Sequence, residues 1–380
     1  MRTLLISALF FALVSAHTAW SQVAISNADT TWQSGSTKTI YGAGFGAKVT
    51  PQPFMWDDLD WPAYAGLSDG DPPPTRAGSY GHPQDDDAPW AKMDGSSHSG
   101  SIRYETSPED LRVTGRPLYS ITQGRGAIRE ISFLHQDYLF LDYWFYSESA
   151  RSFPIGDDGL PDGSWQSKLI RLWPDPNKLY GHNSIYPGRV SYDPGPTHDD
   201  KIRVWSPLYP EDGQWTHITV WIDGSNGMSE GNSHGIFKAW ADNQLIFDVD
   251  DMGWLTGGEA GGAGAYTFLA LVGLDPVERT DHIGKKNLMG DIYLDTTQAR
   301  VMIGDASTWD AVSHFEMQIP QEWSNDSITV AANLGSFSSS DQLWLYVFNE
   351  DGVYNNNGYL IDSDTPLGGP GIPGTPQRND

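Results

Sequence analysis

The sequence predicts an all-β protein. Short runs in which apolar and polar residues alternate recur along most of the 380 residues, the period of half-buried strands. Gly, Pro, Asn and Asp separate these runs and supply their turns. Few stretches show the three-and-four spacing of an amphipathic helix.

Residues 1–21 read as an export signal. Arg2 is the charged start, Leu4 to Val14 the apolar centre, and Val14-Ser15-Ala16 and Ala19-Trp20-Ser21 are both acceptable cleavage sites. The apolar run is too short to span a bilayer. A secreted or extracellular location is expected, with the periplasm and the cell surface both compatible. There are no cysteines, so burial rather than disulfides must hold the fold. The formal charge of −26 argues against nucleic acid and anionic membranes as partners, because phosphates would be repelled. It also opposes acidic polysaccharides at long range. Lys and Arg in a groove overcome that within the screening length of about 8 to 10 Å.

Residues 22–50 form an N-terminal β segment. Thr39-Ile40-Tyr41-Gly42-Ala43-Gly44-Phe45-Gly46 resembles the start of small immunoglobulin-like modules. It is no phosphate loop, since neither a Lys-Ser/Thr pair nor a helix pattern follows. Residues 57–98 are irregular and rich in Pro, Gly and Asp. Asp85-Asp86-Asp87 reads as a solvated charge cluster lacking the spaced ligands of an EF-hand.

Ile128 to Ser147 gives two strands. Both faces of Tyr138 to Ser147 are apolar or aromatic, which predicts a central strand. Asp142 among those rings needs a partner, and Lys168 or Arg171 in the strand Gln166 to Trp173 is expected to supply it. Residues 174–213 read as a long loop in which only Lys201 to Trp205 is a strand. The loop carries His182, Tyr186 and Arg189, and long loops rich in aromatics tend to be functional.

Residues 214–251 organise the chain. In Thr216 to Asp223, Ile218, Val220 and Ile222 alternate with His217, Thr219 and Trp221. Gly235 to Ala241 alternates too, and Asp242-Asn243 turns it into Gln244 to Val249 as a hairpin. His217, Trp221, Lys238 and Trp240 fall on the polar faces. Rings beside ionisable groups on an open sheet face suit a sugar, whose ring stacks while its hydroxyls find polar partners. The alternative is that the Trp residues pack under loops or a second sheet. Gly257 to Gly264 is a flexible stretch with the character of a lid, followed by a strand from Tyr266 to Val272. Asp291 to Ile303 is a closing strand and Gly304 to Trp309 a linker. Phe315 to Ile319, Ser327 to Ala332 and Leu343 to Phe348 make a small β-sandwich module over 305–362. The tail 363–380 has disordered composition.

The Trp-led strand, Gly-rich loop and G-x-x-K-A-W of Gly235 to Trp240 resemble the extended jelly roll of concanavalin-like lectins, glucanases and polysaccharide lyases. They are similar to the strand-loop-strand of glucuronan and alginate lyases. Phe54-Met55-Trp56-Asp57-Asp58-Leu59 resembles the opening strand of such domains, and Gly290-Asp291-Ile292-Tyr293-Leu294-Asp295 the closing strand that pairs with it. The resemblance covers roughly residues 51–304. It implies a two-sheet jelly roll with a concave groove and a polysaccharide partner. Bringing the opening and closing strands together would let Asp57 or Asp58 share a structural calcium ion with Asp291 or Asp295.

The chemistry implied is β-elimination on a uronate-containing glycan. The candidate catalytic residues are Lys168, Arg171, His182, Tyr186, Arg189 and His217; the candidate substrate-binding residues are Trp144, Tyr146, Trp221, Lys238 and Trp240. A non-catalytic lectin or adhesin and an extracellular structural protein are the alternatives. Retaining glycoside hydrolysis is weaker, because Asp248 and Asp250 share a strand face but lack the Glu-rich setting of that motif.

Overall fold

The structure is a computed structural model that describes residues 22–76, 87–90, 92–94, 102–121, 127–130, 138–148, 170–173, 182–186, 189–193, 202–205, 213–223, 235–252, 268–271, 286–338 and 341–362. The export segment, Lys168, the Gly257 to Gly264 stretch and the tail lie outside them. The regular structure described is antiparallel β with two single-turn 3-10 helices. Among the described residues no helix is long and apolar enough to cross a membrane.

The first sheet has the spatial order β15 (Gln244–Met252), β14 (Gly235–Ala241), β13 (Trp215–Asp223), β8 (Tyr138–Ser147), β17 (Asn287–Asp295), β6 (Leu118–Ile121) and β5 (Ile102–Glu105). The short β3 (Met55–Asp57) also pairs with β17, and Asp57 stands opposite Ile292. The opening and closing strands therefore meet as the resemblance implied. Strand β8 is central, as its two apolar faces predict. The β14–β15 turn forms at Asp242 and Asn243, whose φ angles of 47° and 63° give the left-handed pair that matches strand twist.

The second sheet has the order β12 (Ile202–Trp205), β11 (Arg189–Asp193), β10 (His182–Tyr186), β9 (Ile170–Trp173), β16 (Phe268–Leu271), β7 (Ala127–Glu130) and β4 (Lys92–Asp94). Two of its strands correct the sequence reading, since β10 and β11 form a hairpin within the stretch read as loop. Their polar residues hid the alternation of Asn183 and Ile185 with Ser184 and Tyr186. Leu139, Leu141, Tyr143 and Phe145 of β8 share a buried core with Ile218, Val220 and Ile222 of β13, and Ile170 of the second sheet joins it. These two sheets make the jelly-roll sandwich.

The third sheet unites the two ends of the chain. Its order is β1 (Ala24–Ala28), β2 (Thr37–Ala43), β20 (Ser327–Ala331), β19 (Phe315–Trp323), β18 (Arg300–Gly304), β21 (Gln342–Phe348) and β22 (Tyr359–Asp362). Residues 22–50 and 305–362, two segments whose packing together the sequence reading allowed, are thus hydrogen-bonded neighbours in one sheet. Strand β18 pairs with β19 and β21, so the jelly roll closes at β17 and residues 300–304 belong to this sheet. Alternation divides its residues between two cores. Val301, Ile303, Leu343, Leu345 and Val347 pack with Trp32, Ile40 and Phe45. Met302, Phe315, Met317, Tyr346 and Phe348 pack with Phe140, Trp221 and Tyr293 of the first sheet.

Charged groups stitch this contact. Arg112, in the β5–β6 loop, holds Glu316 of β19 through Nη1 at 2.6 Å and Nη2 at 3.0 Å and also pairs with Asp291. Arg116 reaches the other Asp291 oxygen at 2.6 Å. The Arg112 guanidinium lies 4.3 Å from the centre of the Trp144 ring. Burial alone would raise the Glu316 carboxyl, but Arg112 and His314 outweigh it and hold the group down at about 2.

Candidate functional site

Directly paired residues share a sheet face, so register alone sorts the second sheet into two faces. One row runs Val204, Val190, Ile185, Ile170, Leu271, Ile128, Met93 across all seven strands. It is wholly apolar, and Ile170 within it is fully buried in the core. The adjacent row, on the opposite face, runs Arg203, Ser191, Ser184, Arg171, Ala270, Arg129, Lys92. Four of its seven positions are cationic. At about 4.8 Å per strand the row spans roughly 29 Å.

Strand alternation adds the rest of this face. Tyr186 stands opposite Arg189, and Arg189 opposite Trp205. His182, two residues from Ser184, stands opposite Asp193 on the same face. Arg171, His182, Tyr186 and Arg189, named from sequence, therefore share one face. Lys168 lies outside the described residues. Sequence reading missed Lys92, Arg129 and Arg203. The signal was the one that marked Arg171, a cation alternating with branched apolar residues, and Ile202-Arg203-Val204 carries it equally.

His217 belongs elsewhere, and its placement is a correction. It sits on β13 of the first sheet, only 2 % exposed, with its ring 4.1 Å from Phe315 and 4.8 Å from Trp144. Its Nε2 is 2.8 Å from Asp142, while Nδ1 is buried without a partner. Among the described residues Asp142 is held by His217 and by Thr219 at 2.7 Å, two partners the sequence reading did not name. Trp144 and Trp221 on the same face are 8 % and 7 % exposed. The third sheet covers this face, which is therefore no open groove. Trp221 stacks on Tyr138, and Tyr146 is half-buried against Trp215. Lys238 forms a half-exposed ion pair with Asp248 at 3.1 Å, the kind that contributes little to stability.

The four acids expected to hold calcium meet the right strands but have other partners. Asp291 is bound by Arg112 and Arg116. Asp295 is 2.7 Å from Lys48 and accepts from Tyr293 at 3.0 Å. Asp57 accepts from Trp90 at 2.5 Å, Tyr119 at 2.7 Å and the Leu59 amide at 3.0 Å. Asp58 accepts from the Asp60 amide. Asp291 and Asp295 are thus already neutralised by buried cations, a poor setting for a hard divalent ion, whereas Asp57 and Asp58 have neutral donors only. No cluster of three metal-ligating side chains occurs among the described residues.

Asp57 has a different consequence. Burial raises its carboxyl to about 7, the donors from Tyr119, Trp90 and Leu59 only partly opposing the rise. The folded state then keeps a proton that the unfolded chain releases near pH 4. This contribution is fully present below about pH 4, declines as pH rises toward 7 and is flat above, with a span on the order of 4 kcal/mol. Asp57→Asn is expected to remove that part of the slope, read as the difference between variant and parent in urea stability at about pH 5 and about pH 8. Parallel pH profiles would overturn this assignment.

The covered face retains an opening. A cavity of about 370 Å³ lies between the first and third sheets, with Phe140, Asp142, Trp240, Arg300, Phe348 and Tyr354 among its walls. Trp240 is the one candidate substrate-binding residue that lines it.

No protein-family profile and no curated protein matches the chain. Solved structures do. The chain is similar to an endo-beta-1,4-glucuronan lyase from Trichoderma reesei at 11 % identity and a TM-score of 0.39, over 55 % of this chain and 91 % of that one. It is similar to a PL-14 alginate lyase from Aplysia kurodai at 10 % identity and a TM-score of 0.35, over 54 % and 90 % of the two chains. It is also similar to a GH16 protein of a Bacteroides ovatus mixed-linkage glucan locus at 10 % identity and a TM-score of 0.31, over 52 % and 84 %.

Proposed function

We propose that the protein is exported, binds a uronate-containing polysaccharide along the cationic face of the second sheet, and cleaves it by β-elimination. The observation that carries this reading is the row of Arg203, Arg171, Arg129 and Lys92, flanked on the same face by Tyr186, Arg189 and His182. Cations repeated along one face suit a polymer that carries a carboxylate on its sugars, and each acts on the carboxylate beside it within the screening length despite the acidic chain.

The chemistry needs three acts. Arg171 or Arg189 neutralises the uronate carboxylate, which makes the C5 proton acidic. Tyr186 or His182 accepts that proton. The C4–O bond then breaks as the C4=C5 double bond forms, and a proton returns to the leaving oxygen. No water is added.

The test is incubation with alginate, glucuronan and other uronate polymers, following ultraviolet absorbance of the unsaturated product alongside binding. Product formation is the expected result. Binding without product would replace the lyase by a lectin, and neither on a broad panel would sink the polysaccharide reading.

A further inference from the structure

We propose that the cavity between the first and third sheets is a second binding site, for a single carboxylate-bearing sugar. Its centre is Arg300 on β18. The guanidinium carbon lies 3.6 Å from the centre of the Phe348 ring and 4.8 Å from that of Phe140, so the two rings hold the group flat. Burial pulls its dissociation down to about 10, which leaves it charged at neutral pH.

Among the described residues its donors are mostly unclaimed. A guanidinium has five N–H groups. Among the described residues Arg300 makes one side-chain hydrogen bond, from Nη1 to the Gln298 carbonyl at 2.9 Å. Asp142, the acid across the cavity, has one oxygen on His217 and the other on Thr219; its charge favours the Arg300 cation, but it lies beyond ion-pair distance and claims none of the donors. A rigid fork at a cavity wall, with most of its donors unengaged among the described residues, fits a planar, two-oxygen acceptor.

The remaining walls select the rest of the ligand. Trp240 and Tyr354 offer ring faces for a pyranose. Asp142 and Asp310 line the same space and disfavour any ligand with a second negative charge, such as a phosphorylated sugar. The volume is at the small end of ligand pockets, roughly 300 to 1,000 Å³. It holds one or two sugar rings, whereas the row on the second sheet spans a polymer. The identity of the sugar as a uronic acid rests on the proposed function; the site itself rests on Arg300 and its cavity.

The experiment titrates glucuronate, glucose and acetate into the full chain, by calorimetry and by intrinsic tryptophan fluorescence, to which Trp240 and Trp309 in the cavity wall contribute. Glucuronate is expected to saturate and to bind more tightly than either control. Arg300→Met is expected to weaken it by about tenfold or more, the loss of a charge-assisted pair. Arg300→Lys, which keeps the charge but not the fork, is expected to weaken it too, and far-ultraviolet circular dichroism checks that both variants fold. No saturable glucuronate binding, equal affinity for glucose or acetate, or unchanged affinity in a folded Arg300 variant would each overturn the site. Polymer cleavage, assayed separately on the parent chain, distinguishes failure here from failure of the lyase reading.

Discussion

Arg112→Met is expected to lower the stability of the folded chain by about 3 to 5 kcal/mol. Three side chains decide the size. Arg112, Asp291 and Glu316 are each less than 5 % exposed, and the guanidinium satisfies both carboxylates while lying over Trp144. Methionine keeps much of the stem's packing but leaves Glu316 buried without its main cation, and the carboxylate must then ionise at a cost or take up a proton. Urea denaturation reads the loss, since guanidinium salts would screen the pairs under test. A drop below about 1 kcal/mol would mean that the pair behaves as a surface ion pair. A double variant, Arg112→Met with Glu316→Leu, is expected to recover part of the loss, because it removes the orphaned charge. The pH dependence has a defined sign. The Glu316 contribution is present above the ordinary carboxyl range and disappears as pH falls toward 2.

Tyr186→Phe is expected to reduce polymer turnover by about a hundredfold to ten-thousandfold while changing KM little, the pattern for loss of a proton acceptor that acts in the transition state. The expectation follows from register, which sets Tyr186 opposite Arg189 and next to the row containing Arg171. Arg189→Ala should instead lower kcat and raise KM together, because neutralising the carboxylate serves both binding and acidity. Initial rates from the unsaturated product measure both variants. Full activity in Tyr186→Phe with none in His182→Ala would move the proton acceptor to His182. Full activity in both would remove the elimination from this face.

Local pattern made some of this legible and not the rest. The alternation of Thr216 to Asp223 and the Asp242-Asn243 turn specify a hairpin through backbone sterics alone, and it is there. The pairing of Met55 to Asp57 with Ile292 to Leu294 also follows the strand motifs. What alternation cannot tell is which layer covers a face. Trp144, Trp221 and His217 have the parity of a binding surface, but an aromatic face is equally suited to packing, and here Phe315 and Trp309 occupy it. The Arg112 and Arg116 pairs escaped because they sit in a loop without period and find their acids 175 to 204 positions away. The β10–β11 hairpin escaped because serine, histidine and asparagine fill places where a strand usually shows branched residues.

The third sheet also sets an order of events in the life of the chain. Strand β2 has its long partner in β20, and the Gly46 amide finds the Asn325 side chain 279 positions later. Strands β3 to β17 of the jelly roll lie between, followed by β18 and β19 of the third sheet itself. At synthesis rates of about 5 to 20 residues per second, the first strands wait roughly a quarter of a minute to a minute for the partners that bury Ile40 and Phe45. During that interval β1 and β2 present an open edge, and the loop that must close is about three quarters of the chain. The jelly roll is in effect a guest inserted into a host sheet, and that host is complete only when strands from both ends of the chain meet.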